Sequence, residues 1–173
     1  MAATQSDSSP HGRLASLVGR WKTEGWTRET PEAPAIRVDA VDTYEWLPGG
    51  FGLLHIVDAK MGGEQVEGAE IIGYDPDVGA YATQYVGSEG LTRYRASLTQ
   101  ESGRLTWRMR GETTRFTGTF SPDGNVITGQ WELLPESGNW QPLLSEGRDW
   151  QPLLPGDGAW QPWMDITLTK QER

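Results

Sequence analysis

The sequence predicts an all-β protein, a single ten-stranded antiparallel up-and-down β-barrel. Turn signals recur every eight to twelve residues from Val18 onward, including "PGG" at 48–50, "GG" at 62–63 and "SPDGN" at 121–125. Short runs rich in Thr, Val, Ile, Tyr and Trp lie between them, the pattern of strands joined by hairpins. The 22 glycines and nine tryptophans also favour β structure over helix.

The elements follow in order along the chain. Residues 1–12 are small and polar, which predicts a disordered tail in which His11 has no ligand role, and "GRLASLVG" at 12–19 predicts a short helical turn. A single domain is predicted over 13–173. Its ten predicted strands are 19–28, 36–46, 51–61, 64–74, 80–87, 91–99, 104–110, 113–120, 126–134 and 160–170. No helix is long enough for a crossover, so closure of the sheet into a barrel is favoured over the alternative, a two-sheet sandwich.

The composition of the chain excludes several classes of partner and binding site. The net charge of −9 argues against a nucleic-acid partner, and the absence of cysteine excludes disulfides and thiolate metal sites. Neither a signal peptide nor a long apolar run is present, so we expect a cytoplasmic protein with no membrane span.

Two glycine turns predict a polar row inside the barrel. A two-residue loop at Pro48–Gly49 would place Asp42 opposite His55, and one at Gly62–Gly63 would place Glu70 opposite His55. Alternation then puts all three on the inward face. Such a row could orient a histidine for acid–base catalysis, anchor a ligand, or serve only as a structural network.

The same alternation predicts the lining of the interior, and a ten-stranded barrel is wide enough to leave a cavity. The expected ligand-binding residues are Tyr44, Trp46, Phe51, Leu53, His55, Glu70, Ile72, Tyr85 (or Gln84 in its place), Tyr94, Trp107, Met109 and Phe116. Met164, Ile166 and Leu168 are further inward candidates on the last strand. The outward face of the third and fourth strands includes Leu54, Ile56, Ala69 and Ile71.

Several stretches resemble one bacterial family over nearly all of residues 14–170. They are "LVGRWKTEGW", "DTYEWLPGGFGLLHIVD", "EGAEIIGYDPDVGAY", "RFTGTFSPDGNVITGQWE" and "WQPWMDITLTK", and they resemble the domain-of-unknown-function 1579 family. The resemblance implies a calycin-like barrel, distantly similar to lipocalins, fatty-acid-binding proteins and nitrobindin, with Gly19 and Trp21 closing one end. Haem-binding barrels of this kind use a histidine near the C-terminal strands. Residues 104–170 contain none, so we expect no haem and no other cofactor.

A tandem repeat interrupts the last hairpin. Trp-Gln-Pro occurs three times, with Trp140, Trp150 and Trp160 ten residues apart. Two extra copies cannot form a solenoid, and their Pro and Gly content opposes regular strands. The repeat is therefore interpreted as a loop insertion at about 135–159. Packing on its own barrel is the favoured role, with a lid over the barrel mouth and a homodimer interface as alternatives.

Three functions remain open from the sequence. The first is a barrel that binds a small apolar or aromatic molecule, with the Asp42–His55–Glu70 row as its polar anchor. The second is an isomerase or cyclase of secondary metabolism that moves protons with His55, Glu70 or Asp42 in the same cavity. The third is a structural or interaction protein acting through the tryptophan loop. The sequence contains no nucleophile elbow, phosphate loop or metal motif.

Overall fold

The computed structural model describes residues 9–134 and 160–172, and these form a closed antiparallel barrel. Its strands are β1 (Gly19–Thr27), β2 (Arg37–Trp46), β3 (Gly52–Met61), β4 (Glu64–Asp75), β5 (Ala80–Gly87), β6 (Gly90–Glu101), β7 (Arg104–Arg110), β8 (Thr114–Phe120), β9 (Val126–Leu133) and β10 (Gln161–Lys170). Each strand pairs with its neighbours in sequence, and β10 closes the barrel on β1. The predicted ten-stranded up-and-down barrel is confirmed.

The helical segment begins earlier than the sequence indicated. An α-helical turn, α1 (Pro10–Arg13), runs into a 3-10 turn at Leu14–Ser16, so helix starts within the stretch predicted as a tail. Ser9 caps the turn by accepting a hydrogen bond from the Gly12 amide, and Pro10 suits a first helical position because its missing N–H has no partner there anyway. None of the helices in the described ranges is long and apolar enough to cross a membrane.

The helical segment closes one end of the barrel, here called the closed end. Leu14, Leu17 and Trp21 are at most 1% exposed, and the Trp21 indole N–H donates to the Leu17 carbonyl at 2.8 Å. The Tyr81 hydroxyl donates to the Pro10 carbonyl at 2.6 Å. Leu53, Ile72, Leu98 and Phe120 complete this core. The position of Trp21 agrees with the end-closing role that the family resemblance implied.

The β3–β4 hairpin has the predicted register, because its turn is the predicted two-residue loop of glycines. Gly62 and Gly63 adopt positive φ angles of 58° and 90°, which a two-residue turn of this type requires. Met61 pairs with Glu64, and His55 therefore pairs with Glu70.

The β2–β3 hairpin differs from the prediction by two residues. Pro48 is fixed near a φ of −65° and cannot take the positive φ that a two-residue loop needs at its first position. The loop lengthens to four residues, and the positive φ angles fall on Gly49 (93°) and Gly50 (72°). His55 consequently pairs with Tyr44, and Asp42 pairs with Val57. Because the shift is even, no side chain changes face.

Two residues predicted to line the interior are exposed at its edge. Phe51 belongs to this longer loop and is 65% exposed, and Trp46 at the end of β2 is 39% exposed. Both lie at the rim of the closed end, where the ring of His11 meets the Phe51 ring edge-on at 5.6 Å. The expected place of Phe51 in the cavity was wrong because it depended on the short Pro48–Gly49 turn, whereas Trp46 keeps the inward alternation of β2 but stands at the exposed end of the strand.

Candidate functional site

The centre of the barrel holds a hydrogen-bonded row of five side chains from five consecutive strands. Thr23 (β1), Asp42 (β2), His55 (β3), Glu70 (β4) and Thr83 (β5) are all buried. They face inward because the inward positions alternate along each strand. The row therefore spans half of the barrel wall at one level.

His55 is the middle of the row and contacts both carboxylates. Its Nε2 lies 2.7 Å from Asp42 Oδ1, and its Nδ1 lies 2.9 Å from Glu70 Oε2. Thr23 donates its hydroxyl to Asp42 Oδ2, and Thr83 donates to Glu70 Oε1 at 2.5 Å. The four carboxylate oxygens thus each accept a hydrogen bond within the row.

Tyr44 covers one face of the histidine. The register that opposes Tyr44 to His55 stacks the two rings at a centroid distance of 4.0 Å and an interplanar angle of 8°. Asp42 lies two residues before Tyr44 on β2, opposite Val57, and its carboxylate reaches the imidazole diagonally. The stack and the two hydrogen bonds fix both the position and the plane of the ring.

The electrostatics of the row favour the protonated imidazole. Burial lowers the pKa of His55, but the hydrogen bonds and charges of Asp42 and Glu70 raise it more, to about 9. Burial, together with the same two carboxylates, raises the pKa of the Tyr44 hydroxyl well above its usual value. At neutral pH the row is therefore an imidazolium between two carboxylates, with both ring N–H groups donating.

This arrangement limits the chemistry of His55. A general base needs a free nitrogen lone pair, and a metal ligand needs the same. Both ring nitrogens already donate to carboxylates, so either role would require breaking a buried charged hydrogen bond. The row as built is suited to fixing strands and presenting a charged floor rather than to proton transfer.

The end opposite the helical segment, here called the open end, is where β1 ends and β2 begins. Val38 and Ala59 on its inward face are buried, but several other inward side chains are only partly buried. They are Val57, Met61, Val66, Tyr85, Tyr94 and Trp131. These six side chains, which lie above the row, are called the cup below.

Aromatic rings build the wall of the cup. The Tyr85 ring lies against Gly68, where any Cβ would collide with it, so this glycine makes room for the ring. Trp131 packs on Phe116 at 5.0 Å and on Tyr94 at 6.0 Å between ring centroids. The Tyr94 hydroxyl accepts a hydrogen bond from Thr114 at 3.1 Å. Burial and the nearby charges of Glu70 and Asp42 raise the pKa of the Tyr85 hydroxyl.

The other predicted lining residues divide between core and cup. Leu53, Ile72, Trp107 and Met109 are buried, and Gln84, the alternative to Tyr85, faces outward. Tyr85 and Tyr94 belong to the cup, and Phe116 is buried beneath Trp131. Met164, Ile166 and Leu168 are buried on β10. Ile56 and Ile71 are exposed on the outer wall, on the face predicted for them.

Sequence reasoning missed several members of this region, among them Met61 and Val66 of the cup. Thr23 and Thr83 complete the polar row, and Trp131 forms part of the cup wall. The alternation of β1 and β5 could have placed the two threonines inward. Trp131 lies on β9 opposite Phe116 on β8, a register set by the turn between Phe120 and Val126. Residues 135–159, including the repeat tryptophans Trp140 and Trp150, lie outside the described residues.

Comparison with known proteins supports the fold. The solved structure of Rv2717c from M. tuberculosis is similar, with a TM-score of 0.62 at 10% identity, covering 95% of this chain and 99% of that one. The S-type phycobiliprotein lyase CPES from Guillardia theta gives a TM-score of 0.54 at 8% identity, covering 93% and 92%. No curated protein matches this chain.

A family model matches residues 6–123, which include the helical segment, the row and the first eight strands. This agrees with the resemblance found in the sequence motifs. The chain belongs to the family described as "Protein of unknown function (DUF1579)".

Proposed function

We propose that this protein binds a small, largely apolar or aromatic molecule in the cup at the open end of the barrel. The ligand packs against Tyr85, Tyr94 and Trp131 and lies above the Asp42–His55–Glu70 row. The observation that carries the proposal is the partial exposure of several inward-facing apolar and aromatic side chains beside the polar row at this end. Exposed apolar surface that is concave and lined by aromatic rings is typical of ligand sites.

The row supplies the polar floor of the site. Two carboxylates flank one imidazolium, so the floor carries a net negative charge. A ligand that presents a hydrogen-bond donor towards Glu70 or Asp42 gains from this charge, since each carboxylate oxygen can accept a second hydrogen bond. Tyr85 stands beside the row and provides a hydroxyl at the boundary between floor and aromatic wall.

Binding is favoured over catalysis by the state of His55. An isomerase or cyclase reaction would need a free proton acceptor at the floor. His55 contacts a carboxylate through each ring nitrogen, and each carboxylate already accepts hydrogen bonds from His55 and a threonine. A solved structure similar to this one is a phycobiliprotein lyase, so the fold itself is compatible with enzymes. Among the described residues, the inward face shows no free proton acceptor that favours that second function.

The proposal is tested by a substitution that fills the cup with a larger side chain. Val57 faces inward above the row, and Val57→Trp would occupy the space with an indole. We expect the neutral fluorescent probe N-phenyl-1-naphthylamine to bind the wild type saturably and to lose at least tenfold in affinity in this variant. Fluorescence titration at pH 7 measures both.

Val86→Trp is the matched control, because Val86 is 52% exposed on the outer wall of β5. It adds the same indole outside the barrel and should leave the affinity unchanged. Equal affinity of the probe for the wild type and Val57→Trp, with both proteins folded by circular dichroism, would show that the cup is not the binding site.

A further inference from the structure

The outer wall of β6–β8 concentrates positive charge on an acidic protein. The chain has a net charge of −9 and only 15 lysines and arginines. Six of these lie on the three strands β6–β8: Arg93, Arg95, Arg104, Arg108, Arg110 and Arg115. Like charges this close repel one another, so neighbouring groups must offset the repulsion.

Three of the arginines stand directly beside one another. Arg95 pairs with Arg110 across β6 and β7, and Arg110 pairs with Arg115 across β7 and β8. Directly opposed side chains have Cβ atoms about 4.5–5.5 Å apart, and like charges in such pairs are destabilising. These three residues are called the arginine row below.

The described residues offer this row one carboxylate. Glu132 opposes Arg115 on β9 and accepts two hydrogen bonds from its guanidinium, at 2.6 and 3.0 Å. Within the described ranges, Arg95 forms no ion pair. Within the described ranges, Glu132 is thus the carboxylate that the ion pairs place beside this row, and it contacts Arg115.

Trp160 holds two of the guanidinium groups in place. This residue, the last tryptophan of the Trp-Gln-Pro series, is 6% exposed, and its ring lies 4.8 Å from the Arg115 guanidinium carbon and 5.5 Å from that of Arg110. Stacking on an aromatic ring leaves the N–H edges of a guanidinium available for an oxyanion.

Two buried donors at this place lack an acceptor. Over the described part of the chain, Arg110 Nε and Trp160 Nε1 are the buried side-chain polar atoms without a hydrogen-bond partner. Such atoms are rare in folded proteins and call for an explanation. A depression of about 410 Å³ lies beside them, lined by Arg108, Arg110, Arg115, Thr117 and Glu132 with Met109 and Phe116.

We infer that the arginine row is a binding site for an oxyanion, a phosphate or carboxylate group carried by a small molecule. The anion would accept hydrogen bonds from Arg95 and Arg110 and offset the repulsion between them. Guanidinium groups suit both oxyanions because their parallel N–H bonds match two oxygens. The site is on the outer wall and is independent of the cup.

The test titrates the full chain with inorganic phosphate and, separately, with acetate, in calorimetry at constant ionic strength set by sodium chloride. We expect saturable binding of at least one of the two, and the stronger of them identifies the preferred group. Arg110→Gln and Arg95→Gln should each weaken that binding at least tenfold. Because Arg95 is exposed, its variant remains informative if Arg110→Gln fails to fold.

Two further variants distinguish a specific oxyanion site from non-specific electrostatic attraction to a positively charged surface. Arg20→Gln removes an equal charge from the outer face of β1 and should leave the affinity unchanged, whereas Arg110→Lys keeps the charge but loses the forked N–H geometry and should weaken binding. Val57→Trp should have no effect. The inference is overturned if neither anion binds more than chloride, or if Arg20→Gln weakens binding as much as Arg110→Gln.

Discussion

The two ends of the barrel are built from the same ten strands but have different interiors. At the closed end, Leu14, Leu17 and Trp21 are almost fully buried beneath a helical segment tied down by side-chain hydrogen bonds to its backbone. At the open end, the inward faces of Tyr85, Tyr94 and Trp131 remain partly exposed. The difference shows that alternation alone does not define a core. Beneath the helical segment, Trp21, Leu53 and Ile72 are almost fully buried, which shows what a covering element adds to alternation.

The polar row separates these two regions. It crosses the barrel from β1 to β5 at one level, with the packed core on one side and the cup on the other. Each carboxylate oxygen in the row accepts a hydrogen bond, and the one imidazolium lies between the two carboxylates, which offsets part of the cost of burying these charges. The row therefore provides a charged floor to a cup whose walls are aromatic.

The largest expected difference between the ends is in stability. Trp21→Ala should lower the free energy of unfolding by about 3–5 kcal/mol, because it removes a buried ring and the hydrogen bond to Leu17. Trp131→Ala at the open end should cost about 1–2 kcal/mol, since its ring is already partly solvated. Urea unfolding followed by circular dichroism measures both. Similar losses for the two variants would contradict the distinction between core and cup.

The next effect concerns the row and its pH dependence. The pKa of His55 is raised to about 9 in the folded protein, above the value near 6.5 of an unfolded histidine. The stabilisation by its proton is therefore fully present below pH 6.5 and is lost as the pH rises towards 9. We expect the free energy of unfolding to fall by on the order of 3 kcal/mol between pH 6.5 and 9.5.

Two substitutions isolate this contribution. His55→Gln should flatten the profile over this range, whereas His11→Gln, which replaces the other of the two histidines, should retain the wild-type slope. Asp42→Asn and Glu70→Gln should each lower stability by about 1–3 kcal/mol, because each leaves part of a buried network unsatisfied. A profile that is equally steep in His55→Gln and the wild type would show that His55 is not the titrating group.

The smallest expected change in stability is that caused by deleting the repeat insertion. Leu133 and Gln161, on either side of it, are already paired in the β9–β10 ladder. Deleting residues 140–159 joins Asn139 to Trp160 and should leave a folded barrel. Loop closure favours the shorter chain by less than about 2 kcal/mol, since its entropy varies only logarithmically with length. Thermal unfolding and size exclusion compare the two chains, and failure of the shortened chain to fold would contradict the assignment of these residues as an insertion.

The sequence predicted the barrel and part of the site because both depend on local rules. Gly62 and Gly63 defined one turn, and this placed Glu70 opposite His55. The same reasoning failed at the preceding turn, because Pro48 cannot adopt the positive φ that a two-residue loop needs. The resulting register error is two residues, so Asp42 still faces inward and lies within hydrogen-bond distance of the imidazole. The Tyr44–His55 stack could not be foreseen, because it follows from the corrected register. The arginine row requires the registers of β6, β7 and β8 together, which no single turn supplies.

The contrast between the two ends is tested most directly by locating the bound probe. Methyl resonances of the protein would be followed by nuclear magnetic resonance during titration with N-phenyl-1-naphthylamine. We expect shifts at Val57, Met61 and Val66 in the cup and none at Leu17, Leu53 and Ile72 in the core. Shifts confined to the core, or to Ile71 and Val86 on the outer wall, would contradict the account of the open end as a ligand-binding cup.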